Sequence, residues 1–311
     1  MERKLISLIT GCRNEEANLR ELYQRIGAVF EKLPAYDFEL IVADNASTDG
    51  SRVLLRELCR ADKRVKAIFN ARNFGPERSG GNALLSARGA AVVCLASDLQ
   101  NPPEMVEEFV RRWEEGHKIV AAVKVRSEES WLFGLARSFY YELVQRMSYA
   151  TPLKNFTGFG LYDREVIEHI RRMADPDPFF RGAIAEFGYP MHQIPFVQPA
   201  RKRGFSSYNI LRLVDHGILG LISQTKVPLR IATLCGFVFS VVSMLIGLWY
   251  LVRKLVFWDA FTLGTAPLVV GMFCLASVQL FFIGVIGEYI GAIFTKVSNR
   301  PLVVEQERIN F

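Results

Sequence analysis

The sequence contains few cysteines, and none of them follows the spacing of a metal site. Its 311 residues include five cysteines, whereas zinc and iron–sulfur sites need closely spaced pairs. Three fall in segments predicted to form a soluble core and two in long apolar segments. We therefore expect all five to be reduced and to act as small apolar side chains, at positions 12, 59, 94, 235 and 274.

The amino terminus lacks the pattern of a secretory signal peptide. Its opening segment, MERKLISLITGC, leads directly into a short apolar run that is typical of a strand. We therefore expect roughly the first 200 residues to stay in the cytoplasm.

Long apolar runs are absent from the first two thirds of the chain and occur only after about residue 228. Segments 228–252 and 265–294 each exceed the roughly 20 apolar residues that cross a hydrocarbon core. Because the linker between them is short, we expect a hairpin with both flanks on one side of a membrane. The alternative, two buried helices of a large globular core, is disfavoured because each run is apolar on every face.

An excess of basic residues does not by itself indicate nucleic-acid binding. The formal net charge is +6, but the basic side chains are concentrated just before the first apolar run. Cytoplasmic loops beside membrane helices carry such positive charge, although Arg253 and Lys254 on the other side weaken the pattern. The basic residues before the run are Arg201, Lys202, Arg203, Arg212, Lys226 and Arg230.

Short apolar runs typical of strands alternate with segments whose apolar residues recur at helical spacing. Such alternation predicts an α/β domain, with a mostly parallel sheet and helices on both faces. The predicted strands cover residues 5–10, 38–44, 65–69, 91–97 and 118–123, and predicted helices cover 19–33, 51–61, 76–88 and 102–113.

Polar side chains follow all five predicted strands. Taken singly, each is typical of a helix cap or a turn. Because the carboxyl ends of parallel strands meet at one edge of a sheet, the five groups together indicate a ligand site there. They are Arg13, Asn14 and Glu15; Asp44 and Asn45; Asn70, Arg72 and Asn73; Asp98 and Gln100; and Lys124 and Arg126.

The fourth strand has an unusual end. Its segment, AVVCLASDLQNPPE (91–104), places a carboxylate and a carboxamide two residues apart after a buried run. Asp98 and Gln100 offer the oxygen atoms that a hard divalent cation prefers. Mg²⁺ or Mn²⁺ held there would neutralise a diphosphate leaving group. The alternative is that Asp98 caps the helix that the two prolines open.

Nine motifs occur in the order found in a known family. In this order they resemble the membrane-anchored family 2 glycosyltransferases, which include polyprenyl-phosphate and dolichyl-phosphate sugar transferases, and the resemblance covers nearly the whole chain. The motifs are VADNASTDGS (42–51), ARNFG (71–75), ARG (87–89), SDLQNPPE (97–104), GLYDR (160–164), FFRG (179–182), RGFSSY (203–208), KVPLR (226–230) and GEYIGAIF (287–294).

The resemblance implies a GT-A fold, a nucleotide-sugar donor, a divalent metal and inversion at the anomeric carbon. By position it assigns Asp44 to the base of the donor and Lys124 to its diphosphate. The full donor set is Glu15, Asp44, Asn45, Arg72, Asn73 and Lys124; the acceptor phosphate is assigned to Arg201, Arg203 and Ser206, and the metal to Asp98 and Gln100.

Three carboxylates of the family pattern are missing. The D-x-D motif is reduced to Ala96-Ser97-Asp98, and the second aspartate of D-D-G-S is Asn45. The aspartate of G-D-F-R-L, which is often assigned as the catalytic base, is Gly158. A phosphate monoester has a second pKa near 6, so a polyprenyl phosphate is largely dianionic and can attack without a base.

A sugar hydroxyl acceptor would instead require a general base within hydrogen-bond distance. The nearest carboxylates in sequence are Glu186 and Asp163. We favour Glu186 as the catalytic base in that case, because desolvation within its apolar segment would raise its pKa. A surface carboxylate on a short helix is the alternative.

These observations favour an inverting, metal-dependent transfer of one sugar from a UDP-sugar to undecaprenyl phosphate. We expect this at the cytoplasmic face of the inner (plasma) membrane, in a multi-pass protein that feeds cell-envelope glycan modification. A glycolipid hydroxyl acceptor and an inactive relative that binds nucleotide sugar remain alternatives. A processive synthase is disfavoured because no Q-x-x-R-W motif is present and two spans are too few for a channel.

The chain is expected to comprise four segments. They are a GT-A domain (1–205), an amphipathic juxtamembrane segment (206–227), two transmembrane helices (228–295) and a cytoplasmic tail (296–311). The amphipathic segment is suited to lie on a membrane or on a neighbouring subunit. The resemblance implies a homo-oligomer, because members of the family associate, and the position of the basic residues leads us to expect no nucleic-acid partner.

Overall fold

A computed structural model describes residues 3–125, 156–173, 180–199, 227–256, 265–297 and 301–311. The chain divides into two compact units, the first formed by residues 1–213 and 298–311 and the second by residues 214–297.

The first unit is an α/β domain. Its strands are β1 (Lys4–Cys12), β2 (Tyr36–Asp44), β3 (Val65–Asn70), β4 (Ala91–Cys94), β5 (Ile119–Lys124), β6 (Phe156–Asp163), β7 (Met191–Phe196) and β8 (Glu305–Ile309). Its described helices are α1 (Glu16–Glu31), α2 (Ser51–Ala61), α3 (Pro76–Ser86), α4 (Met105–Glu114), α5 (Arg164–Met173) and α6 (Phe180–Glu186). The five predicted strands and four predicted helices are confirmed, with shifts of a few residues at their ends.

All eight strands join one sheet, in the order β7-β5-β6-β4-β1-β2-β3-β8. Strands β1, β2, β3 and β4 pair with one another in parallel, as do β5 and β7. Strand β6 runs antiparallel to both β4 and β5. The carboxyl ends of β1 to β5 therefore lie at one edge of the sheet, which we call the carboxyl edge.

Alternate residues of the central strands enter two separate cores. On β1, Ile6 and Leu8 belong to one core and Ile9 to the other. The first core also contains Leu22 of α1, and the second contains Leu84 of α3. Because strands that are covered on both faces bury every side chain, they read as continuous apolar runs in the sequence. Helices on both faces of a mostly parallel sheet are confirmed.

The C-terminal segment, expected from the sequence as a cytoplasmic tail (296–311), contains a strand that belongs to the α/β domain. It forms β8, which pairs antiparallel with β3 and closes that end of the sheet. Asn310 donates hydrogen bonds to the carbonyl oxygens of Cys59 and Val65, at 2.7 and 2.8 Å. The chain therefore leaves the first unit before residue 227 and returns to it after residue 297.

The second unit contains helices α7 (Val227–Val256) and α8 (Thr265–Val297), which confirms helical structure for both long apolar runs. Within the described part of the chain, no helix is long and apolar enough to cross a membrane. The predicted amphipathic segment lies outside the described residues, except for its last residue.

Candidate active site

Three loops at the carboxyl edge each contain a residue in the left-handed region of backbone space. Their φ angles are 57° at Asn14, 58° at Ala46 and 62° at Leu99, after β1, β2 and β4 respectively. Residues other than glycine seldom adopt this conformation, and those that do are concentrated at functional sites. These backbone conformations therefore indicate a functional site at the carboxyl edge, as the polar residues of the sequence do.

Hydrogen bonds tie these loops to one another. The Ser97 hydroxyl donates to the carbonyl oxygen of Gly11 at 2.8 Å, which joins the β4 loop to β1. The backbone N–H of Asn14 donates to the Ser47 hydroxyl at 2.9 Å, and its Oδ1 accepts from the N–H of Thr48 at 2.8 Å. Loops that cross-link in this way can hold a ligand site in one geometry.

Asp98 and Gln100 lie on either side of the left-handed residue. Leu99 is buried in the core, and the N–H of Gln100 donates to Asp98 Oδ1 at 3.0 Å. The Gln100 Nε2 lies 3.5 Å from the carbonyl oxygen of Pro199. Helix α4 begins only at Met105, so the alternative in which Asp98 caps that helix is wrong.

The side chains of Asp98 and Gln100 are half-buried and supply a carboxylate and a carboxamide oxygen. Among the described residues there is no cluster of three or more histidine, cysteine, aspartate or glutamate side chains that could hold a metal ion. A cation held here would therefore need further oxygen ligands from a substrate or from water. Mg²⁺ commonly binds through one or two carboxylates together with substrate phosphates, so this donor set fits.

Asp44, at the end of β2, has a fully buried side chain. The N–H of Ser47 donates to its two carboxylate oxygens at 3.2 and 3.3 Å, and Arg52 Nε lies 3.2 Å from Oδ2 in an ion pair. Burial and the charge of Asp44 raise the pKa of Cys12 to about 12, so this thiol stays protonated at neutral pH. In this arrangement Asp44 shapes the loop that follows β2.

Asn45 uses all four hydrogen-bonding positions of its side chain within the chain. Its Oδ1 accepts from the N–H of Phe74 at 2.9 Å and from Asn70 at 3.3 Å. Its Nδ2 donates to Asn73 Oδ1 at 2.8 Å and to the carbonyl oxygen of Gly75 at 3.1 Å. An aspartate, the family's usual residue, could not make these two donations. The asparagine therefore connects the β2 loop to the β3 loop.

The other residues assigned to the donor also lie at or near the carboxyl edge. Glu15 is buried and accepts a hydrogen bond from Asn18 Nδ2 at 2.6 Å. Arg72 is exposed, and its guanidinium lies 4.0 Å from the centre of the Phe74 ring. Lys124 is half-buried at the last position of β5. The structure thus brings the predicted donor residues to one edge of the sheet.

Sequence reasoning missed Gly11, which is exposed although it lies in a central strand. Among the described residues, a Cβ atom added at this position would have no neighbour within 4 Å. The space beside Gly11, on the strand that lies between β2 and β4, is therefore open in the described part of the chain, and we call this space the crevice. A glycine inside a strand is the only signal that the sequence offered, since such residues often mark a close approach of a ligand.

The backbone of β6 disfavours the aspartate that is missing from the G-D-F-R-L motif. Gly158, which replaces it, has a φ of 90°, a conformation that side chains rarely adopt. Two residues further on, a Cβ atom at Gly160 would lie 2.3 Å from the carbonyl oxygen of Val120. The departure from the family pattern is therefore built into the strand.

The two carboxylates considered as a base for a hydroxyl acceptor lie toward the opposite edge. Asp163 pairs with Ala91, the first residue of β4. Glu186 is exposed and ends α6, just before β7, whose first residue, Met191, pairs with Ile119 at the start of β5. The expected desolvation of Glu186 is wrong, because the end of this short helix faces solvent. The alternative, a surface carboxylate, describes it correctly.

The residues assigned to the acceptor, Arg201, Arg203 and Ser206, lie outside the described residues, as does Arg126. Their assignment stays a prediction.

Two family profiles match the chain. Residues 7–171 match "Glycosyl transferase family 2", and residues 227–293 match "GtrB C-terminal hairpin". The first match covers more than half of the chain, and the second coincides with α7 and α8.

Proteins of similar sequence align over almost the full length. The SfII prophage-derived bactoprenol glucosyl transferase of Shigella flexneri is 31% identical over 297 residues, which cover 95% of this chain and 96% of that protein. The uncharacterized glycosyltransferase YkcC of Bacillus subtilis is 30% identical over 302 residues, with 97% and 93% covered.

The fold is also found in a solved structure. The mannosyltransferase PcManGT from Pyrobaculum calidifontis, in complex with GDP-Man and Mn²⁺, superposes with a TM-score of 0.50 and 19% identity, covering 96% of this chain and 88% of that one. With the sheet described above, this likeness establishes the GT-A fold. The chain is therefore a glycosyltransferase that belongs to glycosyl transferase family 2.

Proposed function

We propose that this protein transfers a single sugar from a UDP-sugar to a polyprenyl phosphate, with inversion and with Mg²⁺ or Mn²⁺ held by Asp98 and Gln100. The observation that carries the proposal is the turn at Leu99, which presents a carboxylate and a carboxamide oxygen at the carboxyl edge. Similarity to bactoprenol glucosyl transferases supports the lipid acceptor. The metal in the PcManGT complex supports the cofactor.

In this proposal the donor lies in the crevice above Gly11. Glu15, Asp44 and Asn45 hold in place the loops that surround the nucleoside. Arg72 and Asn73 border the crevice. Lys124 offers positive charge to the diphosphate. A cation bound at Asp98 and Gln100 supplies charge neutralisation for the leaving diphosphate.

The structure favours a phosphate acceptor over a hydroxyl acceptor. A phosphate oxygen attacks the anomeric carbon while the bond from that carbon to the diphosphate oxygen breaks, and UDP leaves with the bonding electron pair. No proton has to move, because a polyprenyl phosphate is largely dianionic at neutral pH. The hydroxyl alternative needs a base, but Glu186 and Asp163 lie toward the opposite edge.

Replacing Glu186 with Gln is expected to leave transfer to undecaprenyl phosphate within about two-fold of the unmodified protein. The reason is that an exposed carboxylate toward the opposite edge cannot reach the reacting atoms. The measurement is kcat/KM with each of two acceptors, undecaprenyl phosphate and a hydroxylated glycolipid. Loss of activity in this variant would restore Glu186 as the base and favour the hydroxyl acceptor.

Membrane attachment belongs to the same proposal. We infer that the hairpin of α7 and α8 attaches the protein to the inner membrane and that the GT-A domain lies on the cytoplasmic face. Many large apolar side chains of both helices are exposed, including Phe237, Trp249, Phe281 and Phe294, as contact with lipid requires. The basic residues Arg201 and Arg203 would then meet the acceptor phosphate at the membrane surface.

The deciding experiment is a transfer assay with the full-length protein in detergent. Mn²⁺, labelled UDP-sugars and undecaprenyl phosphate are expected to give a labelled lipid that mild acid cleaves. Turnover only with a hydroxylated glycolipid would favour that acceptor class instead. Binding of UDP-sugar without turnover on either acceptor would identify an inactive relative.

Replacing Gly11 with Val is expected to raise the KM for the UDP-sugar by about ten-fold, equivalent to about 1.4 kcal/mol. The added side chain would occupy the crevice, and its Cβ would have no atom of the described segments within 4 Å. Thermal stability should therefore be unchanged, because valine also suits a strand. The measurement is the KM for donor and for lipid, together with the melting temperature.

Gly27→Val provides a matched control for Gly11→Val. Gly27 lies in α1, and a Cβ atom added there also meets nothing within 4 Å in the part of the chain that the structure describes. This variant should keep the KM of the unmodified protein for both substrates. A donor KM that is unchanged in Gly11→Val would place the donor elsewhere.

A further inference from the structure

The C-terminal strand β8 lies against two helices that flank the donor loops. On one side, Arg52 Nη2 donates to Gln306 Oε1 at 2.9 Å and Arg56 Nη2 to Glu307 Oε2 at 2.6 Å, both from α2. On the other side, Asn82 of α3 donates to Glu305 at 2.6 Å. The strand is therefore bound through its side chains as well as through its pairing with β3.

Arg52 connects this strand to the loop that follows β2. Its Nη2 contacts Gln306, while its Nε lies 3.2 Å from the carboxylate of Asp44. The Asp44 side chain is fully buried, and that of Arg52 is one quarter exposed. A buried carboxylate is strongly destabilising without a cation beside it. Asp44 in turn accepts both hydrogen bonds from the N–H of Ser47.

We propose that Arg52 is a positioning residue for the nucleotide site and that Gln306 of the C-terminal strand holds it in place. Arg52 fixes the Asp44 carboxylate, which fixes the loop at residues 45–50, and this loop borders the donor crevice. The inference rests on the proposed function, because it takes this crevice to be the nucleotide site. It makes the last residues of the chain a component of that site.

Arg56 provides an internal control, since it also lies on α2, donates a hydrogen bond to β8 and packs over Phe69. It lies one helical turn later on α2 and binds the next residue of β8. Both guanidinium groups lie over the ring of Phe69, at 5.2 Å for Arg52 and 4.5 Å for Arg56. Only Arg52 contacts Asp44, so a difference between the two variants reports that contact.

The experiment is calorimetric titration of the full-length protein in detergent with UDP in the presence of Mn²⁺. Arg52→Ala is expected to raise the Kd for UDP by about ten-fold, and Gln306→Ala by about three-fold. The Kd of Arg56→Ala for UDP should stay within about two-fold of that of the unmodified protein. Its melting temperature should nevertheless fall as far as that of Arg52→Ala. Arg52→Lys should recover part of the affinity, because it restores a cation beside Asp44.

A double-mutant cycle tests whether Gln306 acts through Arg52. The double variant Arg52→Ala/Gln306→Ala should bind UDP no more weakly than Arg52→Ala alone, since the effects of coupled residues are not additive. In steady-state assays the single variants should raise the KM for UDP-sugar and leave the KM for lipid unchanged. A merely structural role would lower the amount of active protein and move neither constant.

Three results would overturn the proposal. Equal losses of UDP affinity in Arg52→Ala and Arg56→Ala would show a general effect of α2 packing. Unchanged affinity in Arg52→Ala would remove it from the site while leaving the proposed function intact. Absence of UDP binding by the unmodified protein would contradict the proposed donor, and the positioning role would fall with it.

Discussion

Replacing Asp98 with Asn is expected to lower kcat/KM for sugar transfer by about 10³-fold, because a neutral carboxamide would be a poor ligand for the cation that neutralises the leaving diphosphate. Folding should be preserved. The carboxamide oxygen of the variant would still accept the hydrogen bond that Gln100 N–H now donates to Asp98 Oδ1, and no helix depends on the carboxylate as a cap. The measurement is transfer at saturating Mg²⁺ and Mn²⁺, together with the melting temperature.

Asp37→Asn is the matched control for this prediction. Asp37 is exposed near the start of β2, toward the opposite edge of the same sheet, where it pairs loosely with Arg3 at 3.5 Å. The substitution removes one carboxylate in each case, but only Asp98 lies at the carboxyl edge. Full activity of the Asp98 variant at saturating metal would remove this residue from the active site.

The part of the fold that depends on local pattern could be predicted from the sequence. Strands β1 to β5 are continuous apolar runs because both faces of the sheet are covered, and the predicted bounds of α2 agree with the structure. Strand β8 could not be predicted in this way. Its sequence, EQERI, is polar and charged, and it forms a strand because β3 offers an unpaired edge and Arg52 and Arg56 offer charges to its side chains.

The candidate site was only partly predictable for a related reason. Asp98, Gln100 and Lys124 each follow or end a predicted strand. Their position at one edge could be predicted because the carboxyl ends of parallel strands lie at the same edge. The burial of individual side chains could not be predicted from the sequence in the same way. The sequence does not show that Asp44 is enclosed, that Glu186 faces solvent or that Gly11 is open to the crevice, because these properties depend on segments that are distant in the chain.

A second buried network, centred on Glu39, includes the backbone of the ARG motif at residues 87–89. The Glu39 carboxylate accepts hydrogen bonds from the Ser7 hydroxyl, from Lys66 Nζ at 2.6 Å and from the N–H of Arg88 at 2.8 Å. The N–H of Gly89 donates to the Ser7 hydroxyl at 2.8 Å. The network thus links β1, β2 and β3 to the loop before β4 and stabilises the sheet that carries the site.

Replacing Glu39 with Ala is expected to lower the free energy of unfolding by about 3–5 kcal/mol, because Lys66 and the Arg88 N–H would lose their buried acceptor. The measurement is urea unfolding at pH 7, followed by the fluorescence of tryptophan residues such as Trp113. Asp37→Ala, on the same strand but exposed, should change the free energy by less than about 0.5 kcal/mol. Equal effects of the two substitutions would show that the Glu39 network contributes no more than a surface ion pair.

The free energy of unfolding of Glu39→Ala should depend less on acidic pH than that of the unmodified protein. Burial opposes ionisation of Glu39, but the hydrogen bonds from Lys66, Ser7 and Arg88 outweigh it and hold its pKa below the ordinary value of 4.5. A carboxylate whose pKa is lower in the folded state stabilises the fold above its unfolded pKa, and this contribution is lost as the pH falls through the folded value. The stability difference between the unmodified protein and Glu39→Ala should therefore be constant from pH 7 to about pH 5 and should shrink below about pH 4.5. A difference that stays the same down to pH 3 would mean that the ionised carboxylate is not what the network stabilises.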